Sequence, residues 1–180
     1  MKLLLRVVPI MAGLILSGCS LFQWTMHVAM LSDANVLAML DIINLSEIDS
    51  ADLAKEKASS EEVRTFASRM LNEHTVMLQE TRQLAQKIHV DPETPVLVSI
   101  VGKRHQETME ELRSMSGAAF DRAYLKYQIQ MHEQAIDLVQ NKADFVHDSH
   151  LHHYLKGGRQ DLLTHVSLAN GIERHVVGHY

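Results

Sequence analysis

The chain has 180 residues, enough for one domain with a sizeable core, and carries 22 acidic against 17 basic side chains for a formal charge of −5. That balance argues against nucleic acid, and against a polybasic membrane surface, as partner. Hydrophobic residues make up 46% but aromatics only 5%, which excludes an aromatic-rich β-sandwich and suits a helical protein built on aliphatics and methionine.

The first 18 residues read as an address rather than part of the fold. Lys2 and Arg6 supply a positive start, and residues 7–16 form an apolar run of about ten, too short for a stable membrane span. The run ends in Leu16-Ser17-Gly18-Cys19, which looks like a bacterial lipobox. Cys19 is the single cysteine of the chain, and an unpaired exported thiol would otherwise be a liability. The expectation is a lipoprotein signal peptide over 1–18, with lipidation of Cys19 anchoring the protein to a membrane without a transmembrane helix. Ser20 is not the aspartate that commonly retains lipoproteins at the inner membrane, so the expected location is the outer membrane, facing the periplasm. Loss of Lys2 and Arg6 with the signal leaves 15 basic residues against 22 acidic. With no disulfide available, the core alone must stabilise the fold.

Residues 19–32 form a short tether whose Leu21, Phe22, Trp24, Met26, Val28 and Leu31 are too apolar for a free linker. The first helical pattern spans about 33–58, capped by Ser32 or Asp33, with an inward stripe of Leu37, Leu40, Asn44, Glu47, Ala51, Ala54 and Ala58. Ser59-Ser60-Glu61-Glu62 reads as a capping box, with Ser59 as cap and Glu62 reaching back. The helix behind it runs to about 88 on Val63, Ala67, Met70, His74, Met77, Thr81, Leu84 and Ile88. Asp91-Pro92-Glu93-Thr94-Pro95 is a turn, with Thr94 as cap and Pro95 as first helical residue. A helix over about 95–114 then buries Val98, Val101, His105 and Leu112. Ser116-Gly117 breaks the chain. The next helix, about 118–142, carries Asp121, Leu125, Gln128, His132, Ala135 and Val139. The last pattern starts near 149, is interrupted at Gly157-Gly158, and resumes with Leu162, His165, Ala169 and Ile172 before stopping near Gly171. A bundle domain over 33–173 with a tail over 174–180 follows. The fold class is all-α: an up-and-down helical bundle of about four main helices plus a crossover helix.

Each main helix carries one ligand-type residue near its middle: Glu47, His74, His132 and His165. Helices with level middles would gather three imidazoles and a carboxylate in one layer, a set that suits a divalent transition metal such as Zn, Fe, Mn or Cu. The alternative is a structural layer of neutral, hydrogen-bonded histidines. His105 and Asp121 could form a second polar layer, orienting a ring or pairing with each other. Met70 and Met77 bracket His74 on one face; thioethers suit Cu(I), but methionines also pack cores well. The segment His150-Leu151-His152-His153 reads as a solvated, pH-sensitive surface. No glutamate has a histidine three residues on, so the Glu-x-x-His grip of di-iron carboxylate bundles is missing. No nucleophile motif, phosphate loop or His-Glu-x-x-His is present.

A set of residues carries a family resemblance over about 32–172. They are Glu47 with Ala54-Lys55-Glu56-Lys57-Ala58, and Val63-Arg64-Thr65-Phe66-Ala67-Ser68-Arg69-Met70. To these add Glu73-His74, His105, the run Ser116-Gly117-Ala118-Ala119-Phe120-Asp121-Arg122-Ala123-Tyr124, and His132-Glu133. With these the chain resembles the bacterial domain of unknown function 4142 family, which the resemblance places among ferritin-like bundles of the cell envelope. It departs from the family at Gly157-Gly158, where members commonly place Leu-Pro before the final helix. The resemblance implies a fold and a compartment but no activity. The expected function is therefore an envelope lipoprotein, non-enzymatic, with a polar Glu/His core layer and a protein partner or a second copy of itself as candidate associates. The alternative is a metal-binding or metal-buffering bundle, and a di-metal oxidoreductase is the least favoured reading.

Overall fold

The computed structural model describes residues 32–178, except for the side chains of 96–98, 142, 177 and 178. The expected signal, Cys19, residues 19–31 of the expected tether and the Val98 side chain lie outside the described residues. Within them the chain forms α1 (Asp33–Lys57), α2 (Glu61–Lys87), α3 (Val96–Ser114), α4 (Gly117–Lys142), a 3-10 turn (Ala143–Phe145) and α5 (Ser149–Gly178). No described helix is long and apolar enough to cross a membrane.

α1 packs along α2 and α4 along α5, while α3 lies over α1 and α4. Two apolar clusters hold the bundle. One joins Ala51, Ala54, Val63, Phe66, Met70, Leu112, Phe120, Tyr124 and Ala169. The other joins Val36, Leu37, Ala85, Ile136, Val139, Leu151, Leu155 and Leu162. Large side chains sealed this way each contribute about 1.5–3 kcal/mol. In chain order α1 and α5 run from the second cluster to the first, and α2 and α4 run the other way. α2 and α4 are therefore parallel and need a crossover, which α3 provides. Between the clusters every main helix supplies buried polar residues: Asn44 and Glu47, His74, Gln128 and His132, and His165.

The helix ends are fixed by specific hydrogen bonds. Ser32 caps α1 in a reciprocal box with Asn35. The box expected at Ser59 and Glu62 does not form. Ser60 is the cap residue and its side chain makes no capping bond. Asp121 of α4 takes over: its carboxylate accepts from the Ser59 and Ser60 amides, both at 2.9 Å, and from the Ser59 hydroxyl at 2.5 Å. A carboxylate at a helix start meets both free N–H groups and the positive end of the helix dipole. At the other end of α2, His89 adopts φ 55° and the Val90 amide donates back to Ala85, closing the helix in a left-handed turn. Pro95, not Thr94, is the cap residue of α3. Gly117 opens α4 with φ +59°, a conformation that disfavours any side chain.

α5 differs most from the sequence expectation. It runs unbroken through Gly157-Gly158 and past Gly171 to Gly178, so the expected tail is helical over most of its length. Glycine costs a helix about 1 kcal/mol relative to alanine. The buried face of Leu151, Leu155, Leu162, His165 and Ala169 outweighs that local cost. Asp148 holds the start of α5 by accepting from the His150 and Leu151 amides.

Candidate metal centre

The 3-4 spacing of apolar residues turns one face of each helix inward, and the same spacing carries the histidines with it. His74 of α2, His132 of α4 and His165 of α5 are 1–2% exposed. His74 Nε2 lies 3.3 Å from His132 Nε2, and His132 Nε2 lies 2.9 Å from His165 Nδ1. All three facing nitrogens fall within 4.8 Å of one another. The ring planes meet at 55–83°, with centroids 4.9–5.5 Å apart.

The outward nitrogens determine what the inward ones can do. His132 Nδ1 is 2.8 Å from the Gln128 carbonyl oxygen, which can only accept, so that nitrogen carries the proton. His165 Nε2 donates to Glu73 Oε2 at 2.5 Å, and His74 Nδ1 donates to Asn44 Oδ1 at 2.9 Å. In each neutral ring the second nitrogen is then a bare lone pair. Three lone pairs converge at distances where two uncharged acceptors repel. A proton shared among them would create an imidazolium in a dry interior. Burial and the neighbouring rings His132 and His165 push the His74 pKa well down. Burial and His132 also lower His165, against the opposing pull of Glu73. A metal cation at this point would resolve the repulsion. Imidazoles bound to zinc at about 2.0–2.1 Å in tetrahedral geometry have facing nitrogens about 3.3 Å apart, close to the His74–His132 separation of 3.3 Å.

Glu47, expected as a fourth ligand, stands on the other side of a ring. Its Oε1 is 3.7 Å from His132 Nδ1, the outward nitrogen, and it is not among the groups that could share an ion with the three rings. Both its oxygens are buried with no hydrogen-bond partner among the described residues. Burial pushes its pKa up, against smaller downward pulls from His132, the Gln128 amide and His105. Glu73, on the outer side of His165, is the carboxylate in hydrogen-bond contact with the set. Partial burial raises its pKa, but hydrogen bonds from His165 and Arg69 outweigh that and the net shift is downward. The residues that orient the rings are thus Asn44, Gln128 and Glu73. Asn44 and Gln128 stand on the inward stripes read from the sequence. Glu73 does not, and its sequence signal is its place one residue before His74.

The second polar layer takes another form. His105 accepts from the Tyr127 hydroxyl at 2.7 Å through Nδ1, and its Nε2 is 3.0 Å from Asp49. Asp121 is engaged with the start of α2, so the two neither pair with each other nor hydrogen-bond to the three rings. Met70 lies in the first apolar cluster. His150 and His152 are exposed or nearly so and sit near Asp148 and Asp144 respectively.

Two solved structures share the fold. CopM in the Cu(II)-bound form is 14% identical, with a TM-score of 0.62, over 81% of this chain and 97% of that one. A secreted protein designated DUF305 from Streptomyces coelicolor is 10% identical, with a TM-score of 0.66, over 79% of this chain and 93% of that one. At such identities the likeness concerns the fold alone. Among curated proteins no sequence matches the chain. The Domain of unknown function (DUF4142) family matches residues 24–172, a span that includes the three histidines, and the chain belongs to that family.

Proposed function

We propose that this protein is an envelope lipoprotein whose bundle holds one divalent transition-metal ion on His74, His132 and His165, in a metal-buffering role. The observation that carries the reading is the convergence of three lone pairs, each ring fixed in its tautomer by an acceptor behind it. A structural hydrogen-bonded layer would place a donor opposite each acceptor, and here the inner nitrogens have none. Holding suits the site better than catalysis, because the rings are 1–2% exposed and a substrate would need access to an open coordination position. A di-metal oxidoreductase would need several carboxylates facing inward, whereas Glu47 and Glu73 both stand behind rings. Among ions, imidazole ligation favours copper and zinc over manganese. The Cu(II) named for CopM makes copper the first ion to test. The sequence Leu16-Ser17-Gly18-Cys19 supports lipid anchoring at Cys19, and Ser20 supports the outer membrane.

The test is elemental analysis of the full chain purified without a polyhistidine tag, before and after reconstitution with Cu(II) and Zn(II). About one equivalent of metal is expected, lost in His74→Gln and His132→Gln. Folded protein that takes up no metal under any of these conditions would overturn the proposal and leave the histidines as a structural layer.

A further inference from the structure

The three nitrogens are sealed, so an ion needs a way in. Of the groups that contact the rings from behind, Asn44 is 5% exposed, Gln128 0% and Glu47 1%. The Glu73 side chain is 35% exposed. Its two oxygens do different things: Oε2 accepts from His165 Nε2, and Oε1 accepts from Arg69 Nε at 2.8 Å. Arg69 is itself 45% exposed. Arg69–Glu73–His165 is therefore a continuous polar path from solvent to a ring of the site. It lies between α2 and α5, which pack mainly on α1 and α4 and less on each other.

Resting on the metal-holding reading above, we propose that Glu73 is the ion-transfer residue of the site and Arg69 its guard. A hydrated divalent cation meets the half-exposed carboxylate and displaces the guanidinium from Oε1. The His165 ring, released from Oε2, swings aside, and the ion passes to the three nitrogens before the ring returns. The charges support this order. A carboxylate at a mouth attracts a cation, and a guanidinium on the same carboxylate competes with it.

Stopped-flow mixing of the metal-free full chain with Cu(II) or Zn(II) chloride and a chromophoric indicator tests the proposal, with circular dichroism to confirm folding. Glu73→Gln keeps an acceptor for His165 Nε2 but no charge. It should slow association about tenfold. Arg69→Gln should speed association several-fold at unchanged stoichiometry. If wild type binds one ion and both variants associate at the wild-type rate, the transfer role is overturned and the metal reading stands. If Glu73→Gln loses the ion at saturation, Glu73 holds the site together rather than admitting the ion, and the transfer role is again overturned. Wild type that binds neither ion overturns both readings. Arg69→Gln alone decides the question if Glu73→Gln fails to fold.

Discussion

Glu47 shows how much one side chain can cost. A buried carboxylate without a partner is unfavourable when charged, and its pKa is raised mainly by burial. As pH rises through 4.5 the unfolded chain gives up this proton while the folded chain keeps it, so stability falls until the folded group also ionises. Glu47→Gln removes the effect. The metal-free variant should be more stable than wild type by about 1–3 kcal/mol at pH 8, with a smaller difference at pH 5, read from urea unfolding at both pH values. An equal difference at the two values would mean that Glu47 is not the source. A carboxylate kept despite such a cost invites a role, and it lies behind His132, where it can offset the charge of a bound cation. The stripes at 3-4 spacing made Glu47, His74, His132 and His165 legible in the sequence. The side of the His132 ring on which Glu47 stands was not, because spacing gives the face of a helix but not the direction of a ring nitrogen. Glu73 was missed for a related reason. It stands off the α2 stripe, and its partner is 92 positions away on α5.

For the helices, pattern and punctuation carry different weight. Four inward stripes were legible because burial enforces them, and Leu37, Ala51, Val63, Leu125, His132 and Leu162 are all buried. The cap of α2 was misread because its acceptor comes from Asp121, 62 residues on, a partner that local sequence cannot reveal. Gly157-Gly158 was misread as a break because local preference cannot register the packing on either side. A Cβ built at Gly157 or Gly158 meets nothing within 4 Å, and neither has a positive φ. Gly157→Ala and Gly158→Ala should each stabilise the protein by about 0.5–1 kcal/mol, measured as a rise in Tm. A fall in Tm would show that the glycines serve flexibility or a contact that the helix geometry hides.

At the scale of the whole molecule the histidine layer ties stability to pH. His74 and His165 have pKa values lowered mainly by burial. Below about 6.5 the unfolded chain takes up protons that the folded chain refuses, so stability declines as pH falls through that value. Glu47 acts in the opposite direction over part of the range, so the comparison is cleanest in a Glu47→Gln background. There the metal-free protein should lose stability from pH 7 to pH 5, and adding His74→Gln and His165→Gln should flatten the slope, followed by the urea midpoint. A slope that survives both substitutions would place the sensitivity outside the buried layer.

The polar layer between two apolar clusters also acts as a ruler for assembly. A helix that slipped along its neighbour by one turn, about 5.4 Å, would still set aliphatic residues against aliphatic residues over much of its length. It would also push Glu47 or a histidine into hydrocarbon, part Asn44 from the His74 ring and part the Gln128 side-chain amide from Ser50. Bundles built from uniform apolar stripes tolerate such slips, and buried polar positions on every main helix disfavour them. The four main helices therefore have one alignment that keeps the Asn44–His74 and Glu73–His165 hydrogen bonds, and the same residues that gather the three imidazoles select that alignment as the chain folds.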